Sequence, residues 1–350
     1  MNPSTTPDTF ERHLGLGGSD VAAALGLSPF KTPLQLWAEK RKLPSASVSD
    51  DALHLRLGHH LEPFIAAEFE RQSGLQTHTV SDAFVHPDYP MFYGHIDRFV
   101  TPRGEALWSS EGALQTDTLL ECKSAQLFAR HQWGEAGSDQ MPAAYLLQVI
   151  WYLALTGCKR AVVAVLLGNQ RVDCYEVLRD EALEAMVLAK AKRFWDEHVL
   201  NGVPPEPIDL NDVKLLYPES SDQVCEASDE LLHVIEQLHS MQRSLTEQEA
   251  KAQLLRQHIQ SAMGEASSLN YRGEVLATWK QARASERVDL HALQAAHPAL
   301  VARFKQTVPG ARRFVLKAKT RHVASDTSTQ GVALSMPEAI GHQALEQVGA

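Results

Sequence analysis

The segment LLECKS, residues 119–124, ends an apolar run with two charged side chains, Glu121 and Lys123. Because successive side chains of a β-strand alternate between faces, these two residues would point to the same side of a sheet. A strand needs neither group for its stability, and each is costly to bury without a partner. The pair therefore indicates a chemical role at the end of a strand.

A second acidic residue, Asp97, closes the apolar run in GHIDRFV. The residues between the two runs, TPRGEALWSSEGALQTDT, are typical of a hairpin loop, so neighbouring strands would bring Asp97, Glu121 and Lys123 to one edge. An enzyme that cuts phosphodiesters holds Mg²⁺ through oxygen ligands and places a cation near the attacking water. These three residues predict such a site.

Gln148 and Tyr152, spaced i and i+4, would share one face of a later helix.

The elements around these motifs alternate between helical and strand patterns. Near the N-terminus, LGGSDVAAALGL predicts a Gly-Gly turn and a short helix capped by Ser19 or Asp20. Leu53, Leu57, Leu61, Ile65 and Phe69 recur every four residues, which predicts a helix that Pro63 would interrupt. AFVHPDYPMFYGHIDRFV contains two strand-like runs.

The pattern continues with an apolar helix over residues 141–156 and two buried strands, RAVVAVLLG and QRVDCYEVL, joined as a hairpin through Gly168 and Asn169. A helix over residues 179–200 precedes the Pro-rich segment NGVPPEP. This order predicts an α/β fold, a sheet sandwiched by helices.

Beyond this segment, apolar residues with a 3-4 spacing from Leu231 to Ala262 predict a coiled-coil-like hairpin or one long helix. LNYRGEVLATWKQA predicts a β-hairpin, DLHALQAAHPALVARF a helix, and RRFVLK a last strand. We therefore divide the chain into a flexible N-terminus (1–12), a first domain (13–205), a linker with the coiled-coil-like segment (206–265), a small basic α+β module (266–322) and a mobile tail (323–350).

Composition and charge suggest the cellular setting. The four cysteines form no C-x-x-C motif, the N-terminus lacks the pattern of a signal peptide, and no apolar run is long enough to span a bilayer. We therefore expect a cytoplasmic protein with no membrane partner.

The net charge is −10, but residues 270–322 carry eleven Lys and Arg against three acidic residues, a local charge of +8. This asymmetry indicates either a face for a polyanion or a basic solvated surface.

The series Asp … Glu-x-Lys … Gln-x-x-x-Tyr resembles the core of the PD-(D/E)XK nucleases. With GGSDVAAALGLSPFKTPLQLW before it and GHHLEPFIAAEF between, it resembles specifically the YqaJ-type viral recombinase family, relatives of phage lambda exonuclease, over roughly residues 10 to 200. The resemblance implies a restriction-endonuclease-like α/β core, with a central mixed sheet flanked by helices. The coiled-coil-like segment and the small α+β module would follow it.

The resemblance also implies roles for individual residues. Asp97 and Glu121 would bind the catalytic Mg²⁺ with the backbone carbonyl of Cys122, and Mn²⁺ would substitute. Lys123 would orient and help deprotonate the attacking water, and Gln148 would steady that lysine or the water. Glu62 matches the helix carboxylate that holds a second metal ion or its waters, although an ordinary acid at a helix start is the alternative.

Two residues near the N-terminus match a further feature of these exonucleases. Arg12 lies seven residues before Ser19, the spacing at which the family places an arginine and a serine on the 5′-phosphate end of the DNA. The alternatives are a solvated charge for Arg12 and a helix cap for Ser19. One departure from the family pattern is that Asp97 follows Ile96, where Pro is expected.

The implied activity is that of a Mg²⁺-dependent exonuclease that degrades linear double-stranded DNA from 5′ to 3′. It would leave 3′ single strands for a single-strand annealing protein in phage-type recombination, inside the bacterial host of a phage or prophage. Family members form a ring-shaped trimer, which implies a homo-oligomer. Two other functions are considered: an endonuclease or nickase with the same core, and a non-catalytic DNA-binding accessory protein.

Overall fold

A computed structural model describes residues 4–6, 12–43, 53–307, 310 and 312–317. These residues fall into two compact units, the first ending at Tyr217 and the second beginning at Pro218. The polar segment SASVSDD, residues 45–51, has the composition of a linker and lies outside the described residues.

The first unit contains eight strands and six α-helices among its described residues. The strands are β1 (Ser4–Thr6), β2 (Gln76–His78), β3 (Ala83–Val85), β4 (Tyr93–Gly94), β5 (Arg98–Thr101), β6 (Thr118–Ala125), β7 (Arg160–Leu167) and β8 (Arg171–Leu178). The helices are α1 (Gly18–Ala24), α2 (Pro33–Lys40), α3 (Leu53–Ser73), α4 (Ala143–Thr156), α5 (Glu181–Phe194) and α6 (Leu210–Leu216). Short 3-10 turns cover Arg12–Leu14 and Leu127–Gln132, and a π-helical segment, Trp195–Leu200, extends α5.

The main sheet has the strand order β2-β5-β6-β7-β8. Strands β6 and β7 pair in parallel, and the other neighbours are antiparallel. A parallel pair needs a crossover connection, which α4 supplies. The predicted mixed sheet flanked by helices is therefore confirmed, and the LLECKS strand lies at its centre.

The two faces of β6 lie against different helices. Leu119 belongs to the buried cluster that contains α4 residues such as Ile150, whereas Leu120 and Cys122 belong to a second cluster with Ile65 of α3. Because side chains alternate along a strand, Glu121 and Lys123 lie on the α4 side. Both layers bury apolar side chains, so the central strand is covered on its two faces.

Two local predictions for the first unit are wrong. Helix α3 runs through Pro63 without interruption. The segment with two predicted strand-like runs forms three strands, because β4 pairs with β3 in a separate small sheet while β5 joins the main sheet. The predicted hairpin between β7 and β8 is confirmed, and both turn residues, Gly168 and Asn169, have the positive φ that such turns require.

Helix α6 also belongs to the first unit, although the predicted boundary at residue 205 leaves it outside. Its buried Asp212 accepts a hydrogen bond from the Thr32 hydroxyl at 2.7 Å. Thr32 is also the N-cap residue of α2. The contact therefore joins the beginning of α2 to the last helix of the unit.

The second unit contains the long helix α7 (Asp229–Met263), the hairpin of β9 (Ser268–Tyr271) and β10 (Glu274–Thr278), and the short helices α8 (Leu290–Ala296) and α9 (Pro298–Phe304). The structure therefore favours one long helix over the predicted helical hairpin. The single helix predicted near residue 298 is two helices that meet at Pro298, since the residue before a proline is disfavoured in helical conformation. Residues 312–317 form no strand, contrary to prediction. No helix that the structure describes has the length and apolar composition of a membrane span.

Gly94 of β4 packs closely against helix α4. A Cβ at this position would lie 2.8 Å from the Tyr152 ring and 2.9 Å from Leu155. Both neighbours are buried and have little freedom to move, so Gly94→Ala should lower the free energy of unfolding by about 1–3 kcal/mol. The measurement is denaturant unfolding of the two proteins. Gly58→Ala is the matched control, because a Cβ there meets nothing within 4 Å and Ala is favoured within a helix. Equal stability of the two variants would contradict the close packing at Gly94.

Candidate active site

Strands β5 and β6 bring Asp97 to the Glu-x-Lys motif. Arg98 pairs with Leu120 in the ladder, so Asp97, just before β5, lies beside Glu121 and Cys122. The Asp97 carboxylate accepts a hydrogen bond from the backbone N–H of Cys122 at 2.8 Å. The two acidic residues are therefore held together by the sheet.

Glu121 is the most connected residue of the site. Its side chain is 2% exposed. One oxygen, Oε1, accepts hydrogen bonds from Lys123 Nζ at 2.5 Å and from Gln148 Nε2 at 2.7 Å. The other oxygen, Oε2, is buried and has no hydrogen-bond partner among the described residues. A buried carboxylate oxygen without a partner is costly, which favours either a proton or a cation at this point.

The charges of the cluster follow from this burial. Burial, together with the nearby Asp97 carboxylate, raises the pKa of Glu121 to about 8, although Lys123 opposes the shift. Burial alone would lower the pKa of Lys123, but the Glu121 and Asp97 carboxylates outweigh it and raise that pKa. Lys123 therefore keeps its charge at neutral pH. In the absence of a cation, burial favours the protonated form of Glu121, and a bound divalent cation would favour its ionised form.

Gln148 and Tyr152 of α4 support Glu121 from the helix side. Gln148 Nε2 bonds Glu121 and also lies 2.9 Å from the Tyr152 hydroxyl. The structure thus pairs Gln148 with the carboxylate, whereas the resemblance implied a contact with Lys123 or the water. The sequence predicted that Tyr152 shares a helix face with Gln148, and the hydrogen bond between the two side chains agrees with that prediction.

Tyr152 also fixes the position of α1. A Cβ at Gly18 would lie 2.4 Å from the Tyr152 ring, so the first turn of α1 packs directly on this side chain. The same ring lies against Gly94 of β4. Helix α1, strand β4 and the Glu121 cluster therefore meet at one aromatic ring.

The N-terminal candidates are placed differently from the prediction. Helix α1 begins at Gly18 with Gly17 as its N-cap, so neither Ser19 nor Asp20 is the cap residue. Asp20 instead accepts a hydrogen bond from the Gly17 N–H at 3.2 Å and forms an ion pair with the buried Lys40 at 2.6 Å. Ser19 is exposed in the first turn. The backbone of Arg12 lies in a 3-10 turn, but its side chain lies outside the described residues.

Glu62 of α3 forms an ion pair with Arg98, a residue that sequence reasoning did not single out. Arg98 is the first residue of β5 and follows Asp97 directly. The Arg98 guanidinium also donates to the Asp97 carbonyl at 2.5 Å. In this arrangement the Glu62 carboxylate is neutralised by an arginine, and it is not in contact with Asp97 or Glu121 through any described hydrogen bond.

The acidic side chains of the site offer few ligands to a metal ion. Across the described ranges, no group of three or more His, Cys, Asp and Glu side chains is arranged to hold one. Asp97 and Glu121 supply two carboxylates, a donor type suited to Mg²⁺, which takes few protein ligands and keeps several waters. The buried, unpartnered Oε2 of Glu121 fits a cation as a further partner. The residues present therefore fit one hard divalent ion between the two acids.

Part of the chain is similar in sequence to a viral recombinase domain. Residues 11–159 match the sequence model of the YqaJ-like viral recombinase domain. The uncharacterized protein YqaJ of Bacillus subtilis (strain 168) is 28% identical over 316 residues, which cover 88% of this chain and 92% of that protein.

Two solved structures are similar to about half of the chain. The alkaline exonuclease LHK-Exo from Laribacter hongkongensis is 18% identical with a TM-score of 0.43, covering 54% of this chain and 90% of its own. A phage related exonuclease from Haemophilus somnus 129PT is 12% identical with a TM-score of 0.38, covering 55% and 97%.

The raised pKa of Glu121 predicts how stability depends on pH. The folded protein binds a proton that the unfolded chain releases above its ordinary pKa of 4.5. Without divalent cations, the free energy of unfolding should therefore fall as pH rises from about 5 to about 8. Glu121→Gln keeps the shape of the side chain but cannot titrate, so this part of the decline should disappear. Thermal unfolding of both proteins from pH 5 to 9 in EDTA measures this decline in stability. Parallel curves of stability against pH for the two proteins would contradict the raised pKa of Glu121.

Proposed function

We propose that the chain, whose residues 11–159 match the sequence model of the YqaJ-like viral recombinase domain, is a divalent-metal-dependent deoxyribonuclease that degrades linear double-stranded DNA. The observation that supports it most directly is the cluster of Asp97, Glu121 and Lys123 on two neighbouring strands. Its unpartnered carboxylate oxygen favours a cation, and its charged lysine suits a phosphodiester substrate.

Asp97 and Glu121, with the carbonyl of Cys122, would hold the ion, with Mg²⁺ as the first candidate and Mn²⁺ as a substitute. Bound there, such an ion supplies charge for the phosphate oxygens and makes a coordinated water a stronger nucleophile. Lys123 remains protonated, so we assign it to orienting the water and the phosphate. Gln148 holds the Glu121 oxygen that faces the lysine.

A second ion at Glu62 is the less direct part of the proposal. It would require the Glu62 carboxylate to exchange its Arg98 partner for the ion. Substrate could drive that exchange, since an arginine released from a carboxylate can bind a DNA phosphate through paired hydrogen bonds.

The direction of digestion and the partners rest on the family resemblance. We propose digestion from 5′ to 3′ that leaves a 3′ single strand for a single-strand annealing protein. A ring-shaped homotrimer and the cytoplasm of a bacterial host belong to the same proposal. Residues 270–322, with their local charge of +8, are the part of the chain best suited to further DNA contacts.

The metal site can be tested by removing each carboxylate. Asp97→Ala and Glu121→Ala should abolish digestion of a linear duplex, and Lys123→Ala should lower the rate about 10²–10³-fold, because each group acts on the developing charge. Separate 5′ and 3′ labels report the direction, and a covalently closed circle reports endonuclease activity. Glu176→Ala on β8 is a control carboxylate that should leave the rate unchanged. Activity of Asp97→Ala or Glu121→Ala within a few-fold of wild type would refute the site.

Arg12 and Ser19 are proposed to bind the 5′-phosphate of the DNA end. Ser19 is exposed beside Gly18, which packs on the Tyr152 ring and so lies close to the Glu121 cluster. An arginine suits a terminal phosphate because its planar fork makes paired charge-assisted hydrogen bonds. A strand shortened from its 5′ end presents a new terminal phosphate after every cut, so a fixed anion site would keep it in register.

This role predicts a preference between DNA ends. A 5′-phosphorylated duplex should be digested faster than the same duplex with a 5′-hydroxyl, and Arg12→Ala or Ser19→Ala should reduce that difference. Initial rates on the two substrates measure it. Arg103→Ala, an exposed arginine of the β5–β6 loop, is the control that should keep the preference. Equal rates on both ends in the wild-type protein would show that the end is not read.

A further inference from the structure

The ammonium group of Lys123 lies between a carboxylate and an aromatic ring. Its Nζ is 2.5 Å from Glu121 Oε1 and 5.4 Å from the centroid of the Tyr145 ring. A cation at this distance over an aromatic face is attracted by the negative potential of the ring. Tyr145 is therefore a second anchor for the lysine, on the side away from the sheet.

The Tyr145 ring is itself held in place. It belongs to the first turn of α4, three residues before Gln148, so both side chains lie on the same side of the helix. The buried Trp133 stacks against it, with ring centroids 5.6 Å apart and an interplanar angle of 25°. Trp133 packs in turn on Tyr175, at 4.9 Å. The aromatic face that meets Lys123 is thus backed by the core.

Glu121 alone is a poor anchor for this lysine. Its Oε1 is shared between Lys123 and Gln148, and the same carboxylate is the proposed ligand of a cation. A lysine side chain has a long flexible stem, and its charge has no fixed direction. Without a further contact, the ammonium would have several positions within reach of the site.

We propose that Tyr145 is a positioning residue that holds the Lys123 ammonium in its working place through the face of its ring. The inference rests on the proposed function, since it concerns the lysine that orients the water and the phosphate. The ring, and not the hydroxyl, performs this role. Trp133 contributes by fixing the orientation of the ring.

Two substitutions at Tyr145 separate the ring from the hydroxyl. Tyr145→Phe keeps the aromatic face, so kcat for digestion of a 5′-phosphorylated linear duplex should stay within about twofold of wild type. Tyr145→Leu keeps an apolar side chain but removes the face, so kcat should fall about tenfold. KM should be unchanged in both variants, because the lysine acts on the reacting phosphate and the ring does not hold the DNA. A loss in Tyr145→Phe as large as that in Tyr145→Leu would overturn the inference.

A double-mutant cycle with Lys123→Ala tests whether the ring acts through the lysine. Tyr145→Leu should add no further loss in the Lys123→Ala background, because no ammonium remains to be placed. An additional tenfold loss there would assign Tyr145 another role and overturn the inference. Long incubations with excess enzyme make the residual rate of the Lys123→Ala protein measurable.

The cycle also distinguishes this inference from the proposed function. Full activity of Lys123→Ala would refute the role of the lysine and with it the role of Tyr145, whereas the nuclease activity itself would stand. An inactive Lys123→Ala beside a fully active Tyr145→Leu would overturn only the role of Tyr145. Tyr89→Leu, which removes a tyrosine packed on Phe92 elsewhere in the unit, controls for the general loss of an aromatic ring. It should lower the melting temperature and leave kcat unchanged. If the Tyr145→Leu protein does not fold, Tyr145→Met takes its place. The same tenfold fall in kcat is expected of it.

Discussion

The burial of one carboxylate, that of Glu121, governs the arrangement around it. Its first oxygen accepts two hydrogen bonds, whereas its second has no partner among the described residues. A buried charge is tolerated only where neighbouring groups compensate it. Lys123 provides the compensating positive charge, Gln148 provides a hydrogen bond, and the remaining oxygen is the one proposed to bind a cation. The sheet, α4 and the aromatic residues behind it all serve to hold these groups in place.

The alternation of side chains along two strands sorts the charges of the site. On β6, Glu121 and Lys123 face α4 while Cys122 faces α3. Just before β5, Asp97 bonds the backbone of β6, and the next residue, Arg98, pairs with Glu62 on α3. The Glu62 carboxylate thus has Arg98 as its partner, whereas Asp97 and Glu121 lie side by side next to Lys123. Each face has its own cation, Lys123 on one side and Arg98 on the other.

Sequence reasoning predicted the features that depend on local patterns. The period of two in LLECKS gave the common face of Glu121 and Lys123, and the hairpin-like insert gave the antiparallel neighbour that carries Asp97. Pairings between distant elements were missed, such as Glu62 with Arg98 and Tyr145 with Lys123, because either residue alone reads as an ordinary surface charge or core aromatic. The uninterrupted helix through Pro63 was missed because tertiary packing of Ile65 and Phe69 outweighs a local preference. The N-cap of α1 was misplaced by two or three residues, since Gly17, which has no side chain, occupies the cap position that Ser19 or Asp20 was expected to fill.

The contact of Tyr152 with two glycines links three distant parts of the chain. Gly18, Gly94 and Tyr152 come from α1, β4 and α4, and the ring leaves no room for even a methyl group at either glycine. A larger residue at one glycine would therefore have to be matched by a smaller one at position 152, which would also remove the hydroxyl beside Gln148. We therefore expect these three positions to change together among related chains. Related chains should be able to exchange α1, β4 or α4 only as a set, because an exchanged single element would bring a surface that its neighbours do not fit.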